Sequence, residues 1–157
     1  MSHTRKLYIP LAIAILLVIC LSCVSPEVEP ATPTDDLSLP ADTVELAYFH
    51  RIRRCEACLF AEERIKYVVN TFFQDELSSG KLQFGIYELE DKNNKDLLRK
   101  YGAIGSQLFV NRIINGVEHI RYIEEIWYWG CIDNQEVFDS TVRDIIHSSI
   151  YGTAAPQ

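Results

Sequence analysis

His50-Arg51-Ile52-Arg53-Arg54-Cys55-Glu56-Ala57-Cys58 is the stretch around which the rest of the chain can be placed. Before it, residues 43–49 form an apolar and aromatic run of the kind that makes a buried strand. After it, residues 59–77 carry Ile65, Val68, Val69, Phe72 and Phe73 at helical spacing, with Glu62, Glu63, Arg64 and Lys66 on the opposite face. The two cysteines therefore fall at a strand-to-helix junction. A helix mouth presents unpaired N–H groups and the positive end of the helix dipole, and both favour a thiolate. Arg51, Arg53 and Arg54 bring cationic charge from the N-terminal side, whereas Glu56, between the cysteines, opposes it. Cys55 lies at the mouth and Cys58 one turn in, so Cys55 is the candidate nucleophile and Cys58 the resolving thiol.

The composition narrows the alternatives. A chain of 157 residues with a net charge of −7 has room for one domain plus an additional segment, and its acidity excludes a nucleic-acid partner, which needs a clustered basic surface. The five cysteines fall into separate groups: Cys20 and Cys23, then Cys55 and Cys58, then Cys131. That distribution is not the framework of a disulfide-stapled miniprotein.

Arg5 and Lys6 precede the apolar run 7–21, which is short for a membrane span and reads as a signal or anchor segment over residues 1–23. Leu21-Ser22-Cys23 is similar to a bacterial lipoprotein box, with Cys23 the acylated residue and Cys20 standing where a leucine is usual. Lipidation, an uncleaved anchor and cleavage with secretion all export the domain and, in the first two cases, leave it at the extracytoplasmic side of the cell membrane. Residues 24–42, with Pro26, Pro30, Pro33 and Pro40, read as a flexible tether, 43–150 as the domain and 151–157 as a disordered tail.

Within the domain, residues 82–89 read as a second strand and 91–101 as a second helix stopped by Gly102. Residues 108–114 and 117–123 flank Asn115-Gly116, the strongest short hairpin signal, and 134–150 form a third helix with Phe138, Val142, Ile145, Ile146 and Ile150 in one stripe. Strands joined through a helix lie parallel, and the hairpin adds antiparallel strands. The expected fold is α/β: a mixed four-stranded sheet, one parallel pair plus one hairpin, flanked by three helices.

That order, with Cys-x-x-Cys after the first strand, resembles the thioredoxin-like superfamily over residues 43–150. Tyr48-Phe49-His50 followed by Arg54-Cys55 and Cys58 resembles, more narrowly, an exported bacterial family named for a nitrophenyl-compound nitroreductase subunit. The broader resemblance implies thiol–disulfide oxidoreduction by Cys55 and Cys58, with no cofactor. Two departures stand out: Ser106-Gln107 occupies the place where thioredoxins usually have a cis-proline, and Arg54 replaces the tryptophan that commonly precedes the first cysteine.

Around the pair, Arg53, Arg54 and His50 are expected to tune the thiolate, and Ser106 and Gln107 to face the substrate. By topology the second hairpin strand ends on the rim that carries Cys55. Trp127-Tyr128-Trp129-Gly130-Cys131 should therefore border the site, with Trp129 at a docking surface and Cys131 either a third thiol there or a small buried hydrophobe. The partners expected are a protein or small-molecule disulfide or thiol, the membrane through the N-terminus, and a reductase. The competing reading is a soft-metal binder or a reductase-subunit partner. A closed metal site would need two ligands more than the cysteine pair, from Cys131, His50, His119 or His147.

Overall fold

The computed structural model describes residues 38–153, and the expected signal, anchor or lipidation segment, Cys23 and most of the tether lie outside them, as do residues 154–157. Four strands form one sheet: β1 (Thr43–His50), β2 (Leu82–Glu88), β3 (Gln107–Ile114) and β4 (Val117–Ile123), in the order β2-β1-β3-β4. β1 and β2 are parallel, while β3 runs antiparallel to both β1 and β4. Asn115 and Gly116 both have positive φ, at 53° and 77°, which is the mirror-image turn whose twist matches a two-residue hairpin. This is the thioredoxin-like arrangement.

Alternation along β1 assigns the two faces. Val44, Leu46 and Tyr48 point to one side, where helices α1 (Glu56–Phe72) and α4 (Gln135–Tyr151) cover them with Ile65, Val68, Val69, Phe138, Val142 and Ile146. Ala47 and Phe49 point to the other, where α3 (Lys95–Tyr101) lies; Phe49 packs against the rings of Tyr87, Tyr101 and Phe109 with centroids 5.4, 5.5 and 5.7 Å away. Arg64 of α1 forms a two-pronged ion pair with Asp139 of α4, joining the two helices.

Among the described residues there are four α-helices rather than three. The stretch read as one helix over 59–77 begins earlier, at Glu56, and breaks at Phe73 into α1 and a short α2 (Gln74–Ser79). Phe73 leaves helical geometry, with φ −129° and ψ 31°, and its side chain is buried in the main core. Burial of a large aromatic ring outweighs one lost helical residue. The second helix is likewise divided, a 3-10 turn at Lys92–Asn94 capped by Asp91 preceding α3.

The chain enters and leaves at one pole of the sheet. The last tether residues join the domain there: Ala41 N–H donates to Ile150 O (3.1 Å) and Asp42 N–H to Ile113 O (2.8 Å). Arg112, 1% exposed, donates through Nε to Ser149 O (3.1 Å) and through Nη2 to Leu39 O. β1 then carries the chain to the opposite pole, where the cysteines are.

Candidate functional site

Cys55 is the N-cap of α1. Its backbone is extended, its carbonyl accepts the first helical bond from Leu59 N–H (3.0 Å), and its Sγ accepts from Cys58 N–H at 3.2 Å. The sulfur thus occupies the position where a serine or aspartate oxygen ordinarily satisfies the orphan donors of the first turn. Cys55 is exposed and Cys58 half-buried. The two are joined in a disulfide with Cα atoms 5.1 Å apart, inside the ordinary range of about 4.4–6.8 Å.

Three sequence-distant groups hold this turn. Tyr48, fully buried on β1, donates its hydroxyl to Cys58 O (2.9 Å) and is hydrogen-bonded by the Ser106 side chain, so one phenol links the strand, the helix turn and the loop before β3. Burial, reinforced by the nearby Glu62 carboxylate, pushes the Tyr48 phenol up to about 12. Gln107 Oε1 accepts from Ile104 N–H (2.8 Å) and Gly105 N–H (3.2 Å), fixing the loop that a cis-proline would otherwise shape. No cis peptide bond occurs among the described residues. Ser106 and Gln107 therefore act on the loop and on Tyr48.

The arginines are divided among different tasks. Arg51 donates to Ile104 O (2.7 Å) and lies 4.0 Å from Glu90, whose other oxygen accepts from Ile52 N–H (3.1 Å), so Arg51 braces the rim. Arg53 is exposed. Arg54 turns back along α1: one nitrogen pairs with Glu62, and the other lies 2.7 Å from His50 Nε2. His50 Nδ1 is 3.1 Å from Arg51 O. Since a guanidinium only donates, His50 Nε2 must accept, which places its proton on Nδ1, facing the carbonyl.

Glu62 is the residue that the helical pattern misplaced. It was expected on the polar face, yet it is 8% exposed, bonded by Arg54 on one oxygen and by Lys66 on the other at 2.5 Å. Burial pushes its carboxyl up, and the Lys66 hydrogen bond with the Arg54 and Lys66 charges more than offsets this, leaving it below the usual carboxylate range. The only sequence signal was its spacing of four from Cys58, which puts both on one helix face.

The aromatic loop after β4 separates into inner and outer residues. Trp127 packs against the core, whereas Trp129 is 93% exposed at the tip. Of the two readings of Cys131, the small buried hydrophobe agrees with the structure and the docking thiol does not: it is 6% exposed, its side chain belongs to the main core, and burial pushes its thiol up. Its placement follows from Cys131 N–H bonding back to Tyr128 O (3.0 Å), a tight turn that tucks the thiol under the loop. Ile52, Leu59 and Ile104 are exposed apolar side chains on the segments that flank the disulfide.

The histidines that could complete a closed metal site with the cysteine pair have other neighbours. His50 is engaged by Arg54, His119 pairs across the sheet with Arg112 near the opposite pole, and His147 packs at a tilt against Tyr151, ring centroids 4.8 Å apart. Among the described residues no group of three or more His, Cys, Asp or Glu side chains could hold a metal ion, and no helix is long and apolar enough to cross a membrane.

No family model matches the sequence, and no curated protein matches it either. Solved structures similar to it include a thioredoxin from Thermus thermophilus, 13% identical with a TM-score of 0.41 over 68% of this chain and 76% of that one. Another is an uncharacterized thioredoxin-like protein from Clostridium perfringens, 15% identical with a TM-score of 0.43 over 83% and 98%. The strand order and the helix-mouth disulfide, rather than these distant likenesses, carry the conclusion that the chain has a thioredoxin-like fold with a Cys-x-x-Cys pair at the end of its first strand.

Proposed function

We propose that the protein is an exported, membrane-tethered thiol–disulfide oxidoreductase. The observation that carries the reading is the Cys55 sulfur, exposed, capping α1 and receiving the Cys58 N–H. In the reduced protein that N–H and the helix dipole would stabilise a Cys55 thiolate. The thiolate attacks one sulfur of a substrate disulfide; a Cys55–substrate bond forms, the substrate S–S bond breaks, and the second substrate sulfur leaves as a thiolate that takes a proton from water. Cys58, after losing its proton to solvent, attacks the Cys55 sulfur, reforming the Cys55–Cys58 bond and releasing the first substrate sulfur. Two electrons pass from the dithiol to the substrate. Ile52, Leu59 and Ile104, on the segments that flank the disulfide, and Trp129, at the tip of the loop after β4, are the exposed apolar side chains offered to a polypeptide partner. The N-terminal segment 1–23, acylated at Cys23 or retained as an anchor, places this chemistry at the extracytoplasmic membrane face.

The test is pH-dependent alkylation of Cys55 in a chain carrying Cys58→Ser and Cys131→Ser, together with thiol exchange of the wild-type pair against glutathione. The expected result is half-maximal alkylation well below the free-cysteine value of about 8.5. Titration at or above that value, with no exchange, overturns the reading. A subunit role in a larger reductase, the setting suggested by the narrower motif resemblance, is the second reading. It is favoured by the isolated exposure of Trp129 and would show as stable co-purification that Trp129→Ala abolishes.

A further inference from the structure

The cation closest in sequence to the nucleophile is already engaged by other partners in the oxidised protein. Arg54 adjoins Cys55, but its guanidinium is held by two acceptors, Glu62 and His50 Nε2 (2.7 Å). His50 ends β1 and Glu62 lies in the second turn of α1, and both are almost fully buried. Glu62 is itself fixed by Lys66, four residues on, so its carboxylate cannot follow Arg54 outward without giving up that partner. His50 cannot reverse either, because its Nδ1 is committed to Arg51 O. The guanidinium is therefore parked at a contact ion pair, and any thiolate formed at Cys55 has to compete with Glu62 for it. Coulomb attraction falls inversely with separation, so where Arg54 sits determines how strongly it favours the thiolate.

We propose that Glu62 is a positioning residue that sets the redox poise of the Cys55–Cys58 pair by withholding Arg54 from the Cys55 sulfur. The proposal deepens the oxidoreductase reading and rests on it. The affected equilibrium is the Cys55–Cys58 disulfide plus two glutathione thiols going to the dithiol plus glutathione disulfide: two electrons and two protons move to the protein, one S–S bond breaks and one forms. A thiolate stabilised by a freed Arg54 stabilises the dithiol side and makes the pair a stronger oxidant.

The experiment is a double-mutant cycle with E62Q and R54Q, which preserves side-chain length at Glu62 and removes charge at each site. Two quantities are read in the full chain: the Cys55 thiolate fraction near neutral pH, with Cys58→Ser and Cys131→Ser present, and the glutathione equilibrium constant of the otherwise intact pair. E62Q is expected to raise the thiolate fraction and shift the equilibrium toward the dithiol, each by about three- to tenfold, the range a modest change in one charge contact produces. The contribution of Arg54, taken as the ratio with and without R54Q, should grow at least about threefold when E62Q is present, because only then is the guanidinium free to approach the sulfur. An Arg54 contribution equal in both backgrounds would mean that Glu62 acts only through its own charge, and the proposal falls. Thermal unfolding of each variant separates a folding failure from an electrostatic one, and the milder Glu62→Asp, which keeps the charge but retracts it, should fall between wild type and E62Q. A wild-type pair that never exchanges with glutathione refutes the oxidoreductase reading instead; equal Arg54 contributions in a pair that does exchange refute the role of Glu62.

Discussion

Replacing Tyr48 by Phe removes one oxygen from a fully buried position and leaves the ring packing in place. At neutral pH the loss is the hydroxyl's bond to Cys58 O and the bond from Ser106. A buried neutral hydrogen bond contributes about 0.5–1.5 kcal/mol net. Ser106 is half-buried and can turn to water, so the expected cost is about 1–1.5 kcal/mol, a fall in Tm of roughly 4–10 °C for a domain of this size. At alkaline pH the sign changes. The Tyr48 phenol is raised from 10.0 to about 12 in the folded chain. A group raised on folding contributes stability that is fully present below its unfolded value and is lost as pH rises through its folded one. By about pH 11.5, wild type should therefore have lost about 2 kcal/mol relative to neutral pH through this residue alone, because the unfolded chain ionises the phenol and the folded chain resists. Tyr48→Phe has no such group, and its other tyrosines titrate as in wild type and cancel. Urea denaturation of both proteins at neutral pH and at pH 10, 10.8 and 11.5 should show the variant less stable at first and equal or more stable at the end. A stability difference that stays constant across the series would refute the claim that the hydroxyl is a buried, hydrogen-bonded tie.

Two further outcomes follow from the same geometry. Cys131, buried in the main core with its thiol pushed up by burial, should resist alkylation in the folded chain near pH 8 and react freely in urea; equal rates in the two conditions would return it to the surface. Trp129→Ala should leave Tm within about 1 °C, as substitutions away from packed features usually do, while slowing exchange with folded protein disulfides several-fold and leaving glutathione unaffected. A matching loss with both substrates would remove Trp129 from docking.

Most of the scaffold was legible because its signals are local. The run that became β1, the Asn115-Gly116 turn and the apolar stripe of α4 each declare themselves within a few residues. Cys55 at the helix mouth followed from the same kind of reading, since a strand ending and a helix beginning bracket it. What escaped was set by partners far along the chain. Glu62 reads as solvent-facing because its helical neighbours are charged, whereas in the fold Arg54, from the preceding loop, and Lys66 each take one of its oxygens. Arg51 and Arg54 looked alike as cations near a thiol, but Glu90 and Ile104 claim one and Glu62 and His50 claim the other. Tyr48 read as core, and its hydroxyl matters only because Cys58 O and Ser106 arrive beside it. Phe73 likewise ended a helix early for the sake of a core that periodicity along one segment cannot show.

The pole at which residues 38–42 and the end of α4 meet has a mechanical consequence. Eight residues of β1 separate it from the disulfide, roughly 25 Å of extended chain. Load applied through residues 38 and 153 first meets the Arg112 clasp and the Ala41–Ile150 bond. Those contacts would open before the Cys55 turn, which is braced separately by Tyr48, Arg51 and Gln107 at the other pole. A domain held or tugged by its ends in this way would keep its reactive sulfur presented until the clasp opens.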